Sequence, residues 1–152
     1  MTERARRTAA ELFAESLRLL LAKDMIGYAG LWAVDGVIEF PFASAGYPAR
    51  LEGRAAVEDY LRDYPGLLDV REITERTVHE TTDPDVVVAE FEAAGTVVAT
   101  GRAYRMRYVA VVTARDGEIV RYLDYWSPLA GAELMGGLDE LTAAFAGAEP
   151  RA

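Results

Sequence analysis

The sequence predicts an α+β domain in which helices cover one face of a curved antiparallel sheet. Helical spacing of apolar side chains dominates the first 66 residues, whereas residues 70–126 have the pattern of strands joined by short turns. Strands connected by short turns pair in antiparallel order. With 152 residues, 51% of them hydrophobic, the chain suits one domain with a sizeable core. We therefore expect a single domain over residues 1–146 and a frayed tail over 147–152.

The first half of the chain is predicted to be mainly helical. Apolar residues recur every three or four positions from Ala9 to Leu21, and Thr8 with Glu11 forms a capping box before them. The predicted elements of this half are a helix beginning at Ala9, a second helix over residues 24–32, a turn at Asp35-Gly36, a strand over 37–42 and a third helix over 53–65.

The second half is predicted to be a meander of four strands. Val, Thr and aromatic residues are abundant there, and Asp-Pro and Asp-Gly pairs mark the turns. A terminal helix follows, interrupted at Gly136-Gly137. The predicted strands cover residues 70–82, 86–94, 97–113 and 118–126, and the terminal helix covers residues 132–145.

Composition excludes several classes of function. A formal charge of -9 and a pI near 4.6 argue against nucleic acid or an anionic membrane as a partner. Without cysteine and with one histidine, the chain lacks the usual ligands of a metal site, and no glycine-rich phosphate loop follows a strand. No apolar run approaches the roughly 20 residues of a membrane span. We expect a cytoplasmic protein without cofactor or metal whose partner is a small apolar molecule.

Asp124 is the most informative single residue. Alternate side chains of a strand share a face, so Asp124 lies on the same face as Val120, Tyr122 and Trp126. A carboxylate among aromatic side chains is costly unless it is paired, hydrated or used. The pattern favours a proton-transferring carboxylate in an apolar cavity, with a solvated strand end or a structural hydrogen-bonded aspartate as the alternatives.

Three segments of the second half carry a family resemblance. They are Thr-Gly-Arg-Ala-Tyr at 100–104, Tyr-Val-Ala-Val-Val at 108–112 and Asp-Gly-Glu-Ile-Val-Arg-Tyr-Leu-Asp-Tyr-Trp at 116–126. With the order of elements, they resemble the nuclear transport factor 2-like superfamily of ketosteroid isomerases, SnoaL-type polyketide cyclases and limonene-epoxide hydrolases. The resemblance implies a cone-shaped, cystatin-like fold, in which a curved antiparallel sheet wraps around an N-terminal helical layer. It also implies that Asp124 is a catalytic acid or base.

The remaining candidate residues follow from strand parity and from position in the chain. On the 97–113 strand, one face carries tyrosine and methionine, which suit an adaptable apolar wall. Aromatic residues near the second helix and the first strand are expected to close the cavity, although each of them also suits plain core packing. The candidates for substrate binding are Trp32, Phe40, Tyr104, Met106, Tyr108, Tyr122 and Trp126, and Tyr28 is a further candidate as a hydroxyl donor.

A second ionisable group is expected to assist Asp124. Glu39 is one candidate, because its segment resembles one that positions the catalytic water in the epoxide hydrolases. Glu90 is the other, on a strand whose inward face the sequence leaves open, and two carboxylates in one apolar site would raise one pKa. His79 is a candidate second base. The Arg and Asp that the epoxide hydrolases carry are missing here, which argues against that reaction.

Two functions remain at this stage. The first is a small cofactor-independent enzyme that performs isomerisation, cyclisation, condensation or hydration on a hydrophobic cyclic or polyketide-like molecule. The second is a non-catalytic module of the same fold that binds a small molecule or another protein. Val109, Val111, Leu123 and Tyr125 give the other face of the sheet an apolar character, which predicts a homodimer with Arg107 and Arg121 at the rim.

Overall fold

A computed structural model describes residues 7–145 as one curved, unclosed six-stranded sheet with six helices. The strands lie in the order β2-β1-β6-β5-β4-β3. No helix within residues 7–145 is long and apolar enough to cross a membrane. In chain order the elements are α1 (Ala9–Ala22), α2 (Met25–Ala29), β1 (Trp32–Glu39), β2 (Arg50–Glu52), α3 (Arg54–Leu61), α4 (Tyr64–Leu67), β3 (Leu68–Glu80), β4 (Val86–Val97), β5 (Ala103–Arg115), β6 (Glu118–Tyr125), α5 (Pro128–Met135) and α6 (Leu138–Phe145).

The first helix forms as its sequence predicts. The Thr8 side chain accepts a hydrogen bond from the Glu11 backbone N–H at 3.1 Å, and the Glu11 carboxylate accepts one from the Thr8 N–H at 3.0 Å. Both halves of the capping box are therefore present. The buried face of α1, which includes Leu12, Phe13 and Leu17, packs on the concave face of the sheet.

Strand β1 departs from the prediction. Helix α2 ends at Ala29, and the strand runs from Trp32 through Asp35-Gly36, where the sequence predicts a turn. Position 36 requires a glycine because the backbones of β1 and β6 approach closely there. A Cβ on Gly36 would lie 2.6 Å from the Ile119 carbonyl oxygen. The glycine therefore serves strand pairing and not a turn.

Strand β1 also gives the sheet one parallel pair. It pairs with β6 in parallel and with β2 in antiparallel order, while the other neighbouring strands are all antiparallel. Neither β2 nor the parallel pairing is visible in the sequence, because both depend on contacts between segments that are far apart along the chain. This pairing brings β1 beside the strand that carries Asp124.

A β-bulge in β6 changes the predicted face of one residue. Ala114 pairs with Ile119, but Thr113 pairs with Arg121, so Val120 is an extra residue. Ile119 is fully buried in place of Val120. The pairing register with β5 is then regular from Arg121 to Tyr125, so Tyr122 and Asp124 share a face. The bulge precedes the site, so the predicted parity of Tyr122 and Asp124 survives.

The end of the chain forms two helices instead of one. Ser127 caps α5, and the glycines at 136 and 137 separate α5 from α6 as the sequence predicts. Residue 146 and the predicted tail at 147–152 lie outside the described residues. Helices α5 and α6 pack near the cavity between the sheet and α1 to α4, so they help to shape it.

Candidate active site

A cavity lies between the concave face of the sheet and the helices. Its volume is about 90 Å³, several times the roughly 10–15 Å³ that one water molecule needs. Among residues 7–145, 22 form its wall, of which eleven are aromatic and only Asp124 is charged. Such a cavity suits an apolar or aromatic molecule with few polar groups.

Strand β6 places Asp124 in the wall of this cavity. The residue pairs with the small Ala110 of β5, so no bulky side chain stands directly opposite it. Its Oδ1 atom is buried and has no hydrogen-bond partner among the described residues. Burial alone raises the pKa of the carboxyl from its ordinary 3.8 to about 7. The carboxyl therefore changes protonation state near neutral pH.

Tyrosine hydroxyls surround the carboxyl in three groups. Seven of the eight tyrosines of the chain line the cavity. Tyr47 and Tyr60 share a hydrogen bond, and so do Tyr104 and Tyr108, which Tyr64 faces from α4. The third group is Tyr28, from α2, with Tyr122 of β6.

These tyrosines stay protonated at physiological pH. Burial raises the pKa of the Tyr64 hydroxyl to about 12, and the negative charge of Asp124 adds to that shift. The same two causes raise the pKa of Tyr28 and Tyr122 above the ordinary value. The cavity therefore combines one titrating acid with neutral O–H groups that can donate hydrogen bonds.

Helices α5 and α6 close one side of the cavity. Gly131 of α5 lies so close to Trp126 that a Cβ on it would be 2.8 Å from the indole ring. The Arg102 guanidinium donates to the Glu133 carbonyl oxygen at 2.8 Å and ties α5 to the β4–β5 turn. Phe145 of α6 stacks on Tyr60. The aromatic wall therefore depends on these two helices.

Eight of the residues selected from sequence line the cavity together, whereas Trp32 does not. Trp32 is fully buried behind the wall, stacked on Tyr28 and tilted against Tyr122, and its indole N–H donates to the Val37 carbonyl oxygen at 3.2 Å. It supports two lining tyrosines instead of contacting a ligand. The eight lining residues are Asp124, Tyr28, Phe40, Tyr104, Met106, Tyr108, Tyr122 and Trp126.

The other ionisable candidates lie outside the cavity, on the convex face of the sheet. Glu39 accepts a hydrogen bond from Arg121 at 2.9 Å, because Ile38 and Phe40 take the inward positions around it. Glu90 is exposed and shares a 2.6 Å hydrogen bond with His79. The hypotheses that Glu39, Glu90 or His79 assists Asp124 are therefore corrected: strand parity turns all three away from the cavity.

Several lining residues were missed by the sequence analysis. Tyr60 and Tyr64 had a usable signal, since they lie on the apolar stripe of the third predicted helix. Tyr47 lies in a loop, where no periodicity indicates its direction. The residues of α5 and α6 gave no signal either. Among residues 7–145, no group of three or more His, Asp or Glu side chains is arranged to hold a metal ion.

The chain is similar in sequence to two bacterial proteins of the same size class. The uncharacterised protein YesE of Bacillus subtilis is 43% identical over 129 residues, which cover 85% of this chain and 88% of YesE. The uncharacterised PhzA/B-like protein PA3332 of Pseudomonas aeruginosa is 38% identical over 131 residues, which cover 86% of this chain and 92% of that protein.

Solved structures share the fold. A Bacillus subtilis protein, provisionally described as an isomerase, superposes with a TM-score of 0.82 at 43% identity, over 85% of this chain and 93% of that one. A Pseudomonas putida protein, provisionally described as a polyketide cyclase, has a TM-score of 0.72 at 20% identity over 84% and 98% of the two chains, which shows a shared fold alone. Residues 12–122 match the model of the SnoaL-like domain, so the chain belongs to the SnoaL-like family of the nuclear transport factor 2-like superfamily.

Proposed function

We propose that this protein is a small cofactor-independent enzyme that moves protons on a hydrophobic cyclic or polyketide-like molecule, with Asp124 as acid and base. The observation that carries the proposal is the buried Oδ1 atom of Asp124, which faces an aromatic cavity and has no hydrogen-bond partner among the described residues. General acid–base catalysis is most efficient when the pKa of the group lies near the working pH, and burial brings that of Asp124 to about 7. The other acidic residues suggested by sequence lie outside the cavity, so the proposal assigns both proton transfers to one group.

The proposed reaction is a proton transfer next to a carbonyl group. Ionised Asp124 takes a proton from the carbon next to the substrate carbonyl, so a C–H bond breaks and its electron pair forms an enolate. A tyrosine hydroxyl from the Tyr104–Tyr108 pair donates a hydrogen bond to the enolate oxygen, which stabilises the charge that develops there. For isomerisation, Asp124 returns the proton to a different carbon of an enolate that is conjugated with a C=C bond. For cyclisation, the enolate carbon attacks a second carbonyl carbon, and Asp124 gives its proton to the alkoxide oxygen that forms.

The wall of the cavity limits the substrate. Eleven aromatic side chains and the methionines Met106 and Met135 favour flat, apolar rings. Among residues 7–145, no Lys, Arg or His lines the cavity, so a permanently anionic substrate would meet Asp124 without a compensating cation. Neutral ketones and enols therefore fit the cavity better than carboxylates or phosphates.

Deuterium exchange tests this proposal without requiring the natural substrate. A panel of cyclic β,γ-unsaturated ketones and 1,3-diketones is incubated with the protein in D₂O, and the loss of the α-proton signals is followed by NMR. We expect catalysed exchange with at least one member, and a decrease of roughly 10²–10⁴-fold in Asp124→Asn, because the proton acceptor is removed. The control is Glu90→Gln, which removes an exposed carboxylate from the convex face and should leave the rate unchanged. Exchange at the full rate in Asp124→Asn would refute the assignment.

A second candidate function is interaction through the convex face of the sheet. There Val109 is 37% exposed and Phe42, which packs against Tyr125, is 60% exposed. Leu123 and Val111 extend this apolar area, and Arg107 and Arg121 lie at its edge. Glu39 and Glu75 on the same face already pair with Arg121 and Arg107, so a two-fold axis would bring ion pairs, and not like charges alone, to the edge of the interface.

We therefore propose a homodimer formed through this convex face. Exposed apolar area bordered by charges of both signs is typical of an interface. Sedimentation velocity at micromolar concentration is expected to show a dimer, and a monomer there would contradict the proposal. A dimeric enzyme and a dimeric non-catalytic module would sediment alike. The exchange assay is therefore needed to distinguish them.

A further inference from the structure

The charge inside the cavity is unbalanced. Of the 22 lining residues in the described part of the chain, only Asp124 is ionisable near neutral pH, and none is Lys, Arg or His. The nearby hydroxyls bond to one another, as Tyr47 does to Tyr60 and Tyr104 to Tyr108. Oδ1 of Asp124 has no partner among the described residues. The ionised carboxylate therefore lacks a counter-ion that a bound cation would supply.

The wall around this carboxylate is suited to a cation. Seven tyrosines, three phenylalanines and one tryptophan make up half of the lining. The faces of aromatic rings carry partial negative charge and attract organic cations, most strongly where water is excluded. Trp126, the strongest cation–π partner among these residue types, lines the cavity two positions after Asp124 on the chain.

We propose that the cavity binds organic ammonium ions carrying alkyl or ring substituents, with Asp124 as the counter-ion and the tyrosine and tryptophan rings as the walls. The ligand's apolar substituents replace water against the aromatic wall, while its charge pairs with the carboxylate. The formal charge of -9 on the chain favours approach of a cation from solution. Binding requires no proton transfer from the ligand, so this inference is independent of the proposed reaction.

The affinity for an ammonium ion should depend on pH, because the cation binds the ionised form of Asp124. The groups that face the carboxyl are tyrosines: Tyr28 of α2, Tyr47 of the β1–β2 loop, Tyr60 of α3, Tyr64 of α4, Tyr104 and Tyr108 of β5 and Tyr122 of β6. Burial raises the pKa of each of them above its ordinary value, so none titrates near neutral pH. With a pKa of about 7 for Asp124, the affinity for a permanently charged cation should rise about tenfold from pH 6 to pH 8.

The test compares a cation with its uncharged isostere. Phenyltrimethylammonium and tert-butylbenzene have nearly the same shape, and quenching of tryptophan fluorescence reports the binding of each to the purified protein. We expect phenyltrimethylammonium to bind at least about tenfold more tightly at pH 8. In Asp124→Asn this preference should fall to about twofold or less and lose its pH dependence, since only the aromatic contribution remains.

Controls separate the charge of Asp124 from the charge of the whole protein. Glu90→Gln removes the same formal charge from the convex face and should keep both the preference and its pH dependence. Equal affinity of the wild-type protein for the two ligands would overturn the inference, and so would an undiminished preference in Asp124→Asn. The pH titration of the wild-type protein gives an answer even where the variant folds poorly.

The ammonium-binding assay and the ketone-exchange assay test the cation site and the proposed reaction separately. Ketone exchange without ammonium binding would leave the acid–base proposal standing and refute the cation site. Tight ammonium binding without exchange of any ketone would support the cation site and identify the protein as a binding module.

Discussion

Carboxyl groups on the two faces of the sheet have opposite surroundings. On the convex face, Glu39 pairs with Arg121 and Glu75 pairs with Arg107. On the concave face, the Oδ1 atom of Asp124 is buried beside aromatic rings and has no hydrogen-bond partner among the described residues. The same kind of functional group thus has an arginine partner on one face and lacks one among the described residues on the other.

The pKa directions follow this contrast. Hydrogen bonds from Thr74 and Arg105 hold the pKa of the Glu92 carboxyl below its ordinary value, because they stabilise the charged form. Asp124 has burial as the cause of its shift, and burial penalises the charge. These carboxyl groups therefore differ in the donors around them and in their burial.

The sharpest test of the contrast is the pH dependence of stability. The folded-state pKa of Asp124 is raised from 3.8 to about 7, so the folded protein binds more protons than the unfolded chain between these values. The contribution of Asp124 is fully present at low pH and is lost as the pH rises through about 7. Relative to Asp124→Asn, the wild-type protein should lose about 3 kcal/mol of unfolding free energy between pH 5 and pH 8.

Urea unfolding of both proteins at the two pH values measures this difference. The acids with lowered pKa, such as Glu92, contribute equally to both proteins and cancel. Glu90→Gln serves as the matched control, and its unfolding free energy should change with pH as that of the wild-type protein does. If the unfolding free energies of the wild-type protein and Asp124→Asn change equally with pH, the carboxyl is better solvated than its burial indicates.

A charge placed in the apolar area of the convex face should separate the proposed dimer. Val109→Glu puts an unpaired carboxylate among apolar side chains, which should cost about 2 kcal/mol and raise the dissociation constant roughly 30-fold. Val98→Glu is the matched control, because Val98 is 50% exposed in the turn after β4. Equilibrium sedimentation of the two variants gives the constants, and equal values would place the interface elsewhere.

The smallest effect is expected for the ion pairs of the convex face. Arg121 and Glu39 are partly exposed and 2.9 Å apart, and such pairs contribute roughly 0.2–1 kcal/mol. A double-mutant cycle with Arg121→Ala and Glu39→Gln, measured by urea unfolding, should give a coupling energy in this range that shrinks at high salt. A coupling of several kcal/mol would show that the pair is more buried than it is in the single chain, as it would be inside an interface.

Much of the sheet and of the site could be predicted from the sequence because strand parity is a local property. The period of two placed Tyr104, Met106 and Tyr108 on one face of β5, and all three line the cavity. The same period placed Asp124 on the face of Tyr122. The bulge at Val120 does not change their relative orientation, because it precedes both residues. The positions of Glu39 and His79 were wrong because parity alone does not say which face of a strand meets the helices.

The fold class, the α1 capping box and the alternation that turns Asp124 toward aromatic neighbours follow from the sequence, since each depends on residues close together in the chain. The pairing of β1 with β6 and the convergence of Tyr47, Tyr60 and Tyr64 on one cavity appear only in the folded chain. So does the lack of a cationic side chain beside them among residues 7–145. These features arise from contacts between segments far apart in sequence. The physical consequence is that desolvation, and with it the protonation of Asp124 near neutral pH, is a property of the assembled cavity and of no single segment.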